Sequence, residues 1–163
     1  MKAFLILILI GVTAGMTMIV RMPIPGTGGY LNLGDMAVVF ASLFLGGRWG
    51  AVVGGVGSAT ADLIGGFVLF APVTLIAKGL EGFIAGTLGK KHLVWVLLAV
   101  FVMVVIYFLA ELFLPGMGQA AALSELPFNA IQAVVGAIGG VAVYKGVMLA
   151  LPQSRGGSDG KAK

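Results

Sequence analysis

Along the chain, long apolar runs are interrupted by short clusters of Pro, Gly and charge, and the interruptions define six segments. The first covers residues 3–20 and stops at Arg21, with Pro23 and Pro25 just beyond. Its apolar run is long for a signal peptide and no Ala-x-Ala-like cleavage site follows it, so a retained helix is expected. The loop over residues 21–33 contains Gly26, Thr27, Gly28, Gly29, Tyr30 and Asn32, and its glycines predict a segment able to bend. The second segment, residues 34–45, is short for a complete span. Gly46, Gly47 and Arg48 turn the chain into a third, residues 49–70. Pro72 suits the first turn of a fourth helix, which ends at Gly89, Lys90 and Lys91. The fifth covers residues 93–114 and closes at Pro115 and Gly116. The sixth covers residues 127–151, with Ser124 as its expected N-cap. The tail, residues 152–163, is Gly, Ser and charge, a composition that predicts disorder.

Composition turns these segments into membrane spans. Residues of the AVILMFWYC class make up 60% of the chain, Gly contributes 27 more residues, and only 10 basic and 6 acidic side chains carry charge. A soluble domain carries about a quarter charged residues. With a mean hydropathy of +1.11, this chain has no polar skin for a core of its size. A helical span takes about 20 apolar residues. The expected fold is therefore an all-α integral membrane protein: six transmembrane helices in one domain, residues 1–151, followed by the tail. Charge then sets the orientation. With six spans, Lys2, Arg48, Lys90, Lys91, Lys145, Arg155, Lys161 and Lys163 fall on one side and only Arg21 on the other. Basic residues mark the cytoplasmic side, so both termini are expected there, in a multi-pass protein of the cell membrane. The basic residues are scattered singly, which argues against a nucleic-acid partner.

Helices with few polar faces associate through small residues. Gly50, Gly54, Ser58, Asp62 and Gly66 recur every four positions on the third segment, and Gly82 and Gly86 share a face of the fourth. These ridges are expected to pack inside the bundle. Ionisable residues within a span cost about 2.5–3.5 kcal/mol each, so each needs a partner or a role. Lys78 and Glu81 stand at i and i+3, close enough to neutralise each other. Tyr107 and Glu111 stand at i and i+4 near the outer end of the fifth segment. Glu125, Asn129 and Gln132 share one face of the sixth and lead to Gly136. Three helices thus place hydrogen-bonding groups at one depth, which predicts a cavity open to the outside. Asp35 is expected as a cap on the second helix, Asp62 as a packed acceptor on the glycine ridge, and His92 as a solvated boundary residue.

Enzyme signatures are missing. There is no Cys and only one His, which excludes thiolate chemistry and a multi-histidine metal centre. Neither His-Glu-x-x-His nor Gly-x-Ser-x-Gly occurs, and no Walker-type loop is present. No catalytic residue, metal or cofactor is expected.

The residues carry a family likeness. Tyr30-Leu-Asn-Leu-Gly-Asp35, Phe44-Leu-Gly-Gly-Arg-Trp-Gly-Ala51, Gly57-Ser-Ala-Thr-Ala-Asp-Leu63, Phe70-Ala-Pro-Val-Thr-Leu-Ile-Ala-Lys-Gly-Leu-Glu-Gly82 and Leu126-Pro-Phe-Asn-Ala-Ile-Gln132 resemble, in that order, the substrate-binding S components of energy-coupling factor (ECF) vitamin transporters. The resemblance implies a membrane subunit that captures a vitamin or precursor from outside and joins a T component and two ATPase subunits. It also implies a pocket among the later helices beneath the first loop, where Lys78, Glu81, Tyr107, Glu111, Asn129 and Gln132 fall, with Tyr30 and Asn32 in the lid region. The family often carries Ala-x-x-x-Ala on its first helix as the T-component contact. Here Gly11-Val-Thr-Ala-Gly15 stands instead, and Gly11, Ala14 and Gly15 are the expected docking residues. One cation among up to three carboxylates (Glu81, Glu111, Glu125) favours a neutral or cationic ring, stacked on Tyr30, Tyr107 or Phe128. A pyrimidine thiamine precursor, thiamine or pyridoxine fits better than a large cofactor. The competing readings are a stand-alone ion-coupled transporter or channel, and a membrane enzyme or assembly factor using Asp35 or Asp62.

Overall fold

The computed structural model describes residues 1–25, 27 and 29–151; the tail lies outside the described residues. Six helices follow in chain order: α1 (Lys2–Ile19), α2 (Gly34–Leu45), α3 (Gly47–Gly65), α4 (Ala71–Leu88), α5 (Val94–Glu111) and α6 (Gln119–Ala150). Between α1 and α2 a two-stranded antiparallel hairpin pairs β1 (Met22–Pro23) with β2 (Tyr30–Leu31).

The short α2 is the pivot of the bundle, packing on α1, α3, α4 and α6. Twelve residues span about 18 Å, well under the hydrocarbon thickness of about 30 Å. Because Gly34, Asp35, Ala37, Val38, Val39, Ala41, Ser42 and Leu43 are all buried, α2 meets protein on most of its surface and has no need to match the bilayer. The core divides around it. Val39 and Leu43 join Ala77, Val96, Val100, Met103 and Ala133 on one side. Ala41 joins Ile6, Leu9 and Val53 on the other. Outward, Phe4, Leu7, Ile64, Phe101 and Ile138 are each more than 60% exposed, an apolar coat that suits lipid and not water.

The glycine ridge packs as expected. A Cβ on Gly82 would strike the backbone of Gly50, and one on Gly54 would stand 2.6 Å from the Lys78 carbonyl oxygen. The α3–α4 contact is therefore backbone against backbone. At the other end of α1, the Lys2 ammonium lies 5.5 Å from the Trp49 ring centroid. That contact sets the N-terminus beside the α2–α3 turn, as the charge count requires.

Three boundaries differ from the sequence expectation. The third helix stops at Gly65 because Gly66 adopts a left-handed φ of 85° and caps it, leaving residues 67–70 as a turn. The fifth ends at Glu111, with residues 112–114 in a turn. The sixth begins at Gln119, well before Pro127, which sits inside the helix. Pro removes one N–H from the ladder, and membrane helices tolerate this where neighbouring groups compensate. Ser124 is consequently no cap: its hydroxyl donates to the Ala120 carbonyl at 2.8 Å within α6. The loop expected over residues 21–33 holds the β1–β2 hairpin.

Candidate functional site

Beneath the hairpin, the outer halves of α3, α4, α5 and α6 enclose a polar cavity. Its volume is only about 30 Å³. The walls therefore stand close together. Tyr30 and Asn32 enter from the hairpin side, Ser58 and Asp62 from α3, Phe70, Thr74 and Lys78 from the start of α4, Tyr107 and Glu111 from α5, and Glu125, Asn129 and Gln132 from α6.

The hairpin is tied down at two points. Tyr30 donates its hydroxyl to Asp62 Oδ1 at 2.5 Å, and its ring packs 4.4 Å from that of Phe67. The Arg21 guanidinium lies 5.2 Å from the Tyr30 ring and 5.4 Å from that of Phe67, and donates to the Ala61 carbonyl at 3.0 Å. Burial, then the bond to Asp62, pushes the Tyr30 phenol well above its ordinary range. At the second point, the Asn32 N–H donates to Gln132 Oε1 at 2.7 Å. Gln132 Nε2 in turn donates to Asp35 Oδ2 at 2.7 Å. One amide thus links the hairpin strand to the buried base of the site.

That base is an ion cluster. Lys78 pairs with Asp35, and also with Glu81 at 3.4 Å. All three are buried to 2% exposure or less. Asp35 is therefore not a helix cap, since no side-chain cap bond forms at the start of α2. It is instead a counter-charge of Lys78, supplied from 43 residues away. Glu81 sits behind Lys78 and is absent from the cavity wall.

The upper wall is different in kind. Tyr107 and Thr74 share a hydrogen bond of 2.8 Å, and Asn129 donates to Glu111 Oε1 at 3.4 Å. Four other oxygens have no partner: Ser58 Oγ, Asp62 Oδ2, Glu111 Oε2 and Glu125 Oε1. Glu125 is nevertheless only 2% exposed, and the backbone of Gly29 covers its carboxylate so closely that any side chain there would collide with it.

Seven of the eight residues expected to bind, namely Tyr30, Asn32, Lys78, Tyr107, Glu111, Asn129 and Gln132, line this one cavity; Glu81 does not. Phe128, considered as a stacking ring, is 37% exposed and lies outside it. Asp62, read as a packed acceptor, both holds Tyr30 and faces the cavity. Ser58, Phe70 and Thr74 were not anticipated. Ser58 and Asp62 could have been found from their spacing of four, which sets both on the ridge. Gly11 on α1 is exposed, Ala14 and Gly15 are half-buried, and open space lies beside both glycines.

A six-helix membrane bundle around an outward polar cavity defines a solute-binding membrane subunit. The family model of the ECF-type riboflavin transporter S component matches residues 2–148, and the chain belongs to that family. It is thus a vitamin-binding subunit of a membrane transporter, in a family of transport components. It is 41% identical over 128 residues to an uncharacterized protein of Pyrococcus woesei, covering 75% of this chain and 84% of that one. It is also 36% identical over 115 residues to the thiamine precursor transporter HmpT of Lactococcus lactis subsp. cremoris (strain MG1363), covering 70% of this chain and 68% of that one.

Proposed function

We propose that the protein captures a small, donor-rich nitrogen heterocycle of the thiamine-precursor class on the outer face of the cell membrane. It then delivers that cargo inward with an ECF T component and two ATPase subunits. The observation that carries the substrate class is the mismatch within the cavity wall. Ser58, Asp62, Glu111 and Glu125 offer unpartnered oxygens, while the cation Lys78 is already shared by Asp35 and Glu81. A buried acceptor left unsatisfied costs about 1–3 kcal/mol. A ligand with amino and ring N–H donors would recover that energy, whereas a phosphate ester would meet like charge. The tightness of the walls favours one ring over three. The Lactococcus relative, named for a thiamine precursor, supports the same class. Tyr30, Asn32, Tyr107, Asn129 and Gln132 orient the ring. Lys78 holds the floor. Gly11, Ala14 and Gly15 present the face that meets the T component.

The test is to purify the full chain, identify any retained small molecule by mass spectrometry, and titrate it with aminopyrimidine precursor, thiamine, pyridoxine and riboflavin. A retained heterocycle and submicromolar affinity for a one-ring ligand are expected. No retained vitamin-like compound, together with no affinity tighter than micromolar across the panel, would overturn the proposal. Net uptake by liposomes containing this chain alone would overturn the dependence on ATPase partners.

A further inference from the structure

The opposite end of the bundle carries a second concave site. The α4–α5 turn, the end of α2 and the last third of α6 form a cleft of about 220 Å³. Lys90, Lys91, His92, Tyr144 and Lys145 line it together with the apolar Leu43, Leu93 and Val141. No acidic residue lines it. The five acids of the described residues (Asp35, Asp62, Glu81, Glu111 and Glu125) all belong to the outer cavity or the ion cluster beneath it. Among the described residues, the ion pairs are those of Lys78 alone. Three lysines from two parts of the chain therefore converge on one cleft without a carboxylate to neutralise them. The topology rule accounts for their side of the membrane but not for their convergence.

We propose that this cleft holds the phosphodiester headgroup of an anionic phospholipid in the cytoplasmic leaflet. Three observations favour a lipid over a soluble anion. The lysines stand at the level where α4 ends and α5 begins, which is the membrane interface, and basic pockets between helices at that level take anionic headgroups. The wall is half apolar, which a free anion does not need. Beside Leu93, α5 continues as an exposed apolar surface through Val94, Leu97, Leu98 and Phe101, a path for an acyl chain.

The test uses the delipidated full chain in detergent and native mass spectrometry, with phosphatidylglycerol, phosphatidylcholine and glycerol phosphate as separate probes. One phosphatidylglycerol per chain should be retained, with phosphatidylcholine and glycerol phosphate bound far more weakly. Lys145→Gln should reduce retention about fivefold, and the triple variant Lys90→Gln, Lys91→Gln, Lys145→Gln should abolish it at an unchanged unfolding temperature. Lys2→Gln with Arg48→Gln, on the same membrane face but outside the cleft, should leave retention intact. Equal retention of phosphatidylcholine would overturn the proposal. So would full retention by the triple variant, or equal damage from Lys2→Gln with Arg48→Gln. Glycerol phosphate bound as tightly as the lipid would make the cleft a soluble-anion site instead.

Discussion

Replacing Lys78 by Met separates the structural role of the ion cluster from any role in binding. In the native fold one buried ammonium serves two buried carboxylates, Asp35 and Glu81. Lys78→Met keeps the aliphatic bulk and strands both acids, and removing one partner of a buried ion pair costs about 3–5 kcal/mol. Asp35→Asn is milder. Lys78 keeps Glu81 at 3.4 Å, the new amide oxygen still accepts from Gln132, and the loss is one charge-assisted bond of about 1.5–3 kcal/mol. For a chain of this length a kilocalorie moves the unfolding temperature by about 2–4 °C. Lys78→Met should therefore lower it by about 6–20 °C in detergent, and Asp35→Asn by about 3–12 °C. The double variant removes the cation and one of the acids it serves. It should be less damaging than the two single losses added, with a coupling energy of at least about 1 kcal/mol. Thermal unfolding followed by intrinsic fluorescence reads all four proteins. Strict additivity, or a Lys78→Met protein that unfolds within about 2 °C of wild type, would refute the cluster as a cooperative unit.

Five other outcomes follow from single positions. Gly29→Ala sets a methyl group where the Glu125 carboxylate now lies, so affinity for the heterocycle should fall about tenfold at constant stability, a loss of about 1.4 kcal/mol; calorimetry showing no change would remove the hairpin–Glu125 contact from the site. Gly82→Val meets the Gly50 backbone, which cannot yield, and should abolish a monodisperse peak in size-exclusion chromatography. Gly15→Leu, beside open space, should keep both stability and binding while weakening T-component assembly; lost binding would contradict its outward placement. Tyr30 has its pKa raised in the closed hairpin, so its latch contribution is complete below the ordinary value of about 10 and is lost as pH rises above it. Affinity should be flat to about pH 10 and fall beyond, and a fall beginning below pH 9 that Tyr30→Phe removes would refute the latch. Finally, Phe70 is the one residue shared between the polar cavity and an apolar groove of about 260 Å³ lined by Phe67, Leu69, Leu114, Pro115 and Met117. Phe70→Ala should join the two and raise affinity for three-ring riboflavin at least tenfold, measured by fluorescence quenching, with one-ring binding nearly unchanged.

What the sequence made legible was periodic or cumulative. The six helices follow from apolar runs, and the orientation follows from eight basic residues on one side. Glu125, Asn129 and Gln132 declare a common face because a helix repeats every 3.6 residues. Illegible features were those made by contacts far apart in the chain. Asp35 stands at the start of a helix, where a local rule offers capping, yet its partners are Lys78 and Gln132, 43 and 97 residues away. The expected start of the sixth helix at Pro127 rests on Ser124 as a cap, and nothing local shows that α6 already runs from Gln119. Strands of two residues leave no alternating pattern to detect.

The placement of charge also separates stability from function within the site. Asp35, Lys78 and Glu81 compensate one another, and a bundle could retain them for packing alone. Glu111 and Glu125 cannot be explained that way, whereas Asp62 also holds the Tyr30 hydroxyl. Each costs about 2.5–3.5 kcal/mol to place in a membrane helix, and each keeps a buried oxygen without a partner. No cation lies among the residues facing them except Lys78, which is committed below. Replacing Glu111 and Glu125 by isosteric amides should therefore leave the fold intact or stabilise it, because no native ion pair is broken. The same changes should weaken ligand binding, since the ligand's donors lose carboxyl oxygens as acceptors. Raised stability with reduced affinity is the signature of groups held for their ligand, and reduced stability would show instead that Glu111 and Glu125 hold the bundle together.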